Sequence, residues 1–167
     1  EWGRNIQHDI IDGTKWAVDD GIADPDRIGI YGASFGGYSA FQAPLVQPGL
    51  FKAAVGYVGV YDLDLMYNSG DIETLRWGGA YLDKTLPNDP DQVRAQSPAK
   101  RAEELNIPLF IVHGKDDYRA AYEHAEVMRD ALDKANKSYE WLVKDGEEHG
   151  FYEPENTEEL FQRVLKF

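Results

Sequence analysis

The sequence contains no cysteine. That excludes disulfide staples, thiolate nucleophiles and cysteine-held zinc, so covalent chemistry here needs a different nucleophile. Histidine is scarce, at four residues, which leaves a short list of candidate general bases. Positive charge is in deficit: 17 lysines and arginines stand against 30 aspartates and glutamates, a formal net charge of −13. Such a chain repels phosphate backbones and anionic headgroups, so neither nucleic acid nor membrane is expected as a partner. The acidity itself reads as a solvated, solubilising surface. No apolar run approaches the ~20 residues of a membrane-spanning helix. Low-complexity tracts and internal repeats are also missing. The first residue, Glu1, is not a natural start, and the compartment stays open.

What is present is 167 residues, 43% of them hydrophobic and 13% aromatic. That is enough for one domain with a real core and too little for two. Asn5 to Asp20 reads as a helix with Ile6, Ile10, Ala17 and Val18 near one stripe, weakened by Gly13 and stopped at Gly21. Ile28 to Tyr31 is a short strand, followed by a helix carrying Phe35, Tyr38, Phe41 and Leu45, in which Pro44 predicts a kink or an early end. Lys52 to Val60 suits a strand buried on both faces, and Tyr61 to Tyr67 leaves the sheet where ligands usually bind. A helix is expected over Asp71 to Asp83, a loop at Pro87 to Pro90, and a short helix N-capped by Ser97 and ending at Leu105. Pro108 to His113 is the next buried strand. Ala121, Ala125, Met128, Leu132 and Ala135 mark the clearest amphipathic helix, and Tyr139 to Lys144 an edge strand. Asn156 and Glu159 have the spacing of a capping box for a last helix through Phe167. Strand and helix alternate, which predicts an α/β fold with a parallel sheet of about four strands and helices on both faces.

At the centre of this pattern is Gly32-Ala33-Ser34-Phe35-Gly36, a G-x-S-x-G run between a strand and a helix. That is the layout of a nucleophile elbow, which lifts a serine hydroxyl clear of its strand. The motif is weak alone, so its context decides. A serine needs a base, and the base needs an orienting group. His8 and His124 fall on helices and read as ordinary surface or boundary residues. His113 ends a strand and fits a packed structural role, whereas His149 lies in the polar loop Asp145-Gly-Glu-Glu-His-Gly after the last strand. The preceding loop offers Asp116 and Asp117, which periodicity does not separate. A metal site built from His113, Asp116, Asp117 and His149 lacks the spacing of a known metal motif, and none is expected.

These residues have a familiar arrangement. Trp2-Gly3, Asp9, Asp26-Arg27-Ile28 and the run from Gly32 to Tyr38 resemble the catalytic domain of the prolyl-oligopeptidase family of serine peptidases. Ser97-Pro98, Pro108 into His113-Gly114-Lys115-Asp116-Asp117, and Glu148-His149-Gly150-Phe151 extend the likeness over essentially the whole chain. It is similar above all to the acylaminoacyl-peptidase and dipeptidyl-peptidase branches. The resemblance implies the α/β-hydrolase fold, with Ser34 as nucleophile, His149 as base and Asp117 as acid. It further implies an oxyanion donor in the backbone N–H of Phe35, a substrate pocket around Val60, Leu63 and Met66, and a substrate-holding role for Arg119. Oligopeptides are the implied substrates, and no cofactor is implied.

The departures from the family pattern carry expectations of their own. The family's second oxyanion donor, a tyrosine hydroxyl, its earlier strands and its β-propeller would all precede this sequence, and Ala120-Ala121 replaces a frequent valine-proline pair. The chain is therefore expected to be the C-terminal part of a larger peptidase, feeble or inactive by itself. Its open sheet edge is expected to be covered by another copy or by a rearranged segment. A carboxylesterase on the same scaffold and a non-catalytic interaction module are the alternative readings.

Overall fold

Four short runs of small, β-branched and aromatic residues form one parallel sheet in a computed structural model that describes residues 2–72 and 74–167. The strands are β1 (Gly29–Ala33), β2 (Ala53–Tyr57), β3 (Leu109–Gly114) and β4 (Glu140–Lys144), in spatial order β1-β2-β3-β4. Every neighbouring pair is parallel. Burial follows position: all of β3 is buried, whereas β1 has no fully buried residue and β4 has only Leu142.

Six α-helices are described: α1 (Asn5–Asp19), α2 (Phe35–Val46), α3 (Gly78–Thr85), α4 (Pro90–Ala95), α5 (Glu123–Lys134) and α6 (Pro154–Val164). Alternating strand side chains separate two apolar layers. Ala54, Leu109 and Ile111 pack with Phe41 and Leu45 of α2 and Ala125, Met128 and Leu132 of α5 on one face. Val55, Phe110, Val112 and Leu142 meet Leu160 of α6 on the other. Full burial of one such large side chain contributes about 1.5–3 kcal/mol, so these layers set the register of the sheet.

Several local expectations give way to tertiary contacts. In α1 the buried residues are Gln7 and Ile11, not the half-buried stripe Ile6, Ile10, Ala17 and Val18. The Gln7 side-chain N–H groups donate to the Trp2 carbonyl at 2.8 Å and to Ser39 Oγ at 3.0 Å, so the buried amide nitrogen is paired inside the protein. α2 is buried on all sides from Gly37 to Leu45, because α1 covers it from outside, and it passes Pro44 before ending at Val46. β2 stops at Tyr57 rather than Val60, since Val58 turns away with φ +43°.

The helix expected from Asp71 begins only at Gly78, with residue 73 outside the described residues. The expected loop at Pro87 to Pro90 instead ends in a helix start: Asp89 accepts a hydrogen bond from Gln92 N at 3.0 Å, and Pro90 is the first residue of α4. Ser97 caps nothing with its side chain, because its Oγ accepts from Leu63 N at 3.0 Å. The segment after it, Pro98–Glu104, is a 3₁₀ helix broken at Arg101. No capping box forms at Asn156, which lies inside α6 and donates to Glu147 at 2.6 Å; that helix ends at Val164. The loops following β1, β2, β3 and β4 all emerge at the carboxyl end of the sheet, and the candidate site lies there.

Candidate active site

The turn after β1 is sterically demanding. Ser34 has φ +58° and ψ −120°, a conformation that costs a non-glycine residue roughly 1–3 kcal/mol. The same turn brings backbone onto Gly32, where an added Cβ would lie 2.3 Å from the Gly36 carbonyl oxygen. Only glycine fits. The Ser34 N–H donates to the Tyr57 carbonyl at 2.9 Å, fastening the turn to β2.

His149 closes the arrangement. Its Nε2 lies 2.9 Å from Ser34 Oγ, and its Nδ1 lies 2.8 and 3.1 Å from the two carboxylate oxygens of Asp117. An ionised carboxylate only accepts, so Nδ1 carries the proton and Nε2 presents its lone pair to the serine hydroxyl. Asp117 has no solvent-exposed side-chain surface, whereas His149 keeps 28% of its own. Asp117 Oδ1 also accepts from the N–H groups of Arg119 at 2.9 Å and Ala120 at 3.0 Å. Burial acts most strongly on this carboxyl and pushes its pKa up, but hydrogen bonds from His113 and His149 together outweigh it. The result is a pKa held down at about 2.

Geometry therefore separates the two adjacent aspartates. Asp116 is exposed and uses its N–H on the Glu147 carbonyl at 2.9 Å. His113 is wholly buried, with Nε2 2.7 Å from the Ala120 carbonyl and 3.3 Å from Asp117 Oδ2. His8 is exposed, in keeping with a surface residue. His124 is not a surface or boundary residue: it is completely buried, and its Nδ1 accepts from Tyr61 N at 3.3 Å. Burial pushes its pKa down to about 3 and keeps the ring neutral.

The remaining expected residues take different positions. Phe35 is the first residue of α2, where an N–H has no partner within the helix, and its ring meets Trp2 with centroids 4.8 Å apart. Val60, Leu63 and Met66, each no more than 3% exposed, do come together, but inside an apolar cluster with Tyr38, Leu82 and Leu86. They line none of the open space in the neighbouring 550 Å³ cavity, which is bordered by Asn68, Gly70, Asp71, Asp117, Tyr118 and Tyr122. Arg119 turns its guanidinium to Asp71 at 2.8 Å.

Two supports of the loop bearing His149 escaped the sequence reading. Glu147 is buried, and its carboxylate accepts from Tyr152 N at 2.6 Å, Glu153 N at 3.2 Å and Asn156 at 2.6 Å. Burial raises its pKa most, but these donors together bring it below the ordinary glutamate value. The Tyr57 hydroxyl accepts from Phe151 N–H. The Tyr57 contact spans 94 residues, and the Glu147 bonds form only once the loop folds back on the start of α6. Among the described residues no cluster of three or more histidine or acidic side chains is arranged to hold a metal ion, and no helix is long and apolar enough to cross a membrane.

Comparison with known proteins adds kinship to this geometry. Residues 1–167 match the prolyl oligopeptidase family. The chain is 28% identical over 165 residues to dipeptidyl aminopeptidase BIII of Pseudoxanthomonas mexicana, covering 94% of this chain and 23% of that protein. It is 27% identical over 172 residues to dipeptidyl peptidase family member 6 of Caenorhabditis elegans, covering 100% and 23%. A puromycin-hydrolyzing peptidase of Mycobacterium tuberculosis superposes with a TM-score of 0.88 at 30% identity, over 100% of this chain and 25% of that one. Uncomplexed acylaminoacyl peptidase of Pyrococcus horikoshii gives 0.85 at 26% identity, over 100% and 28%. The chain thus spans about a quarter of the length of the curated relatives it matches.

Proposed function

Because the chain belongs to the prolyl oligopeptidase family, we propose that it carries the catalytic triad of a serine peptidase, with Ser34 as nucleophile, His149 as general base and Asp117 as orienting acid. The observation that carries this reading is the single imidazole lying within hydrogen-bond reach of both Ser34 Oγ and the Asp117 carboxylate. In the first half-reaction a bond forms from Ser34 Oγ to the substrate carbonyl carbon, and the hydroxyl proton passes to His149 Nε2. The tetrahedral adduct then collapses, the C–N bond breaks, and His149 returns that proton to the leaving amine. Water repeats the sequence on the acyl ester and frees the serine. Asp117 keeps its charge throughout, holding the tautomer and stabilising the imidazolium. The Phe35 N–H donates to the developing oxyanion.

Oligopeptides are the substrate class that fits this family, whose similar members are named as peptidases. We infer that a second oxyanion donor, which the family resemblance implies to be a tyrosine hydroxyl preceding this sequence, completes the site. Losing one such donor costs about 2.7–4 kcal/mol of transition-state stabilisation. The 167-residue chain by itself is accordingly a poor catalyst. A fluorophosphonate probe applied to the full-length protein tests the assignment: labelling of the wild type and none of Ser34→Ala is the expected outcome. Persistent labelling of Ser34→Ala removes that residue from the chemistry. Rates on peptide p-nitroanilides and on short-chain esters, measured in parallel, then distinguish a peptidase from an esterase.

A further inference from the structure

Ser34 and His149 are 115 residues apart and sit on separate loops, so something must hold one loop against the other to the accuracy of a hydrogen bond. Most of the fastening of residues 145–153 leads elsewhere. Glu147 ties the loop to itself and to α6, its carbonyl takes the Asp116 N–H, and Lys115 reaches Asp145. Those bonds fix the loop to β3 and α6 but not to the half of the sheet that bears the serine.

Tyr57, the last residue of β2, is placed to make that link. It pairs with Ala33 across the sheet, and its carbonyl accepts the Ser34 N–H at 2.9 Å. Its hydroxyl accepts the Phe151 N–H two residues beyond His149, and its ring meets that of Phe151 edge-on with centroids 5.3 Å apart. Gly150, with φ +148°, lies against the same hydroxyl; a Cβ there would be 3.7 Å from it. Among the described residues this is the one hydrogen bond, apart from His149's own to Ser34, that reaches the loop from β1 or β2. We propose that Tyr57 is a positioning residue, holding the nucleophile turn by its carbonyl and the base loop by its hydroxyl, and so setting the separation between Ser34 and His149. Burial raises the hydroxyl's pKa to about 12, so the oxygen stays a neutral acceptor throughout the working range.

This proposal rests on the triad reading, and its test separates the two. Tyr57→Phe keeps the ring packed on Phe151 and removes only the hydroxyl; Tyr31→Phe, on β1, removes a neighbouring tyrosine hydroxyl that makes no hydrogen bond to the loop. Both are made in the full-length protein, and kcat, KM and hydrogen exchange of residues 147–153 are measured. Misplacing a catalytic group by about an ångström costs up to about a hundredfold, so kcat of Tyr57→Phe is expected to fall roughly ten- to hundredfold with KM within about twofold. Exchange at 149–152 quickens while β3 stays protected, and Tyr31→Phe matches the wild type. An unchanged kcat in Tyr57→Phe, or an equal fall in Tyr31→Phe, overturns the proposal. If the wild type takes no probe and cleaves nothing, the peptidase reading fails, and exchange alone judges the link: unchanged exchange at 149–152 in Tyr57→Phe refutes it, and faster exchange upholds it.

Discussion

Asp117 receives hydrogen bonds from His149 and from the Arg119 and Ala120 N–H groups, and His113 Nε2 lies 3.3 Å from its Oδ2. Asp117→Asn keeps that shape but offers His149 an amide. A wrong tautomer is then favoured, and kcat should fall about 10³–10⁴-fold with little change in KM, as steady-state kinetics would register. The same carboxylate makes the fold acid-sensitive. Its pKa lies below the unfolded value of 3.8, at about 2, so its stabilisation is present above about pH 4 and disappears as pH falls through 2. The difference is on the order of 2 kcal/mol. His124 acts in a higher window. Its folded pKa of about 3 lies below the unfolded 6.5, so between these values the unfolded chain binds a proton that the native one refuses. Stability therefore falls on acidification from pH 6.5, with a slope approaching 1.4 kcal/mol per pH unit from this residue alone. Urea midpoints between pH 7 and 4 should show the decline, and His124→Asn, which retains an acceptor for the Tyr61 N–H, should flatten it. Spacing exposed Ser34 and His149 in the sequence, since a glycine-flanked serine and a histidine in a polar loop are local features. It did not rank Asp116 against Asp117 or foresee the burial of His124, because both depend on which residues fold over them.

The elements place these groups through close backbone approaches. Where β3 ends, a Cβ on Gly114 would stand 2.2 Å from the Glu147 carbonyl oxygen and 2.4 Å from that of Glu148. Gly114→Ala must therefore push away the backbone segment leading to His149. We expect at least about a hundredfold loss of kcat, from misplacement of the proposed base. The Ser34 turn is fastened to β2 by its backbone and meets this loop through the His149 side chain, so circular dichroism should show the sheet intact; full activity in a folded Gly114→Ala would refute this account of the junction. The four strands and α5 were legible because burial on one or both faces writes a run or a stripe into the chain, and those patterns are local. The misreadings share a cause. Ser97 and Asn156 have the composition of helix caps, but Leu63 N–H and the Glu147 carboxylate compete for their side chains. α4 was missed although Asp89-Pro90 carries the same signal as Ser97-Pro98, because its six residues bury nothing and leave no apolar period. Tyr57 was invisible as a link because its partner is 94 residues away.

For the whole molecule the feature that governs association is the outer edge of β1. Among the described residues β1 pairs only with β2, and Tyr31 on it is 46% exposed. An unpaired strand edge offers N–H and C=O groups to any other strand and favours association. Opposing it is the net charge of −13, which makes two copies repel at long range. Those forces respond differently to salt: screening shortens the repulsion to about 8 Å at 0.15 M and about 3 Å at 1 M, and leaves edge pairing almost untouched. The isolated 167-residue chain should therefore self-associate reversibly, and more strongly as salt is raised. Sedimentation velocity across a salt series would measure this. Tyr31→Lys places a charge on the edge and should shift the distribution back to monomer, although it lowers the net negative charge that keeps copies apart. A purely colloidal attraction predicts the reverse, since lysine reduces the repulsion. If Tyr31→Lys associates more than the wild type, surface charge rather than the strand edge governs assembly; a wild type that stays monomeric at every salt concentration removes the edge as an attractive site.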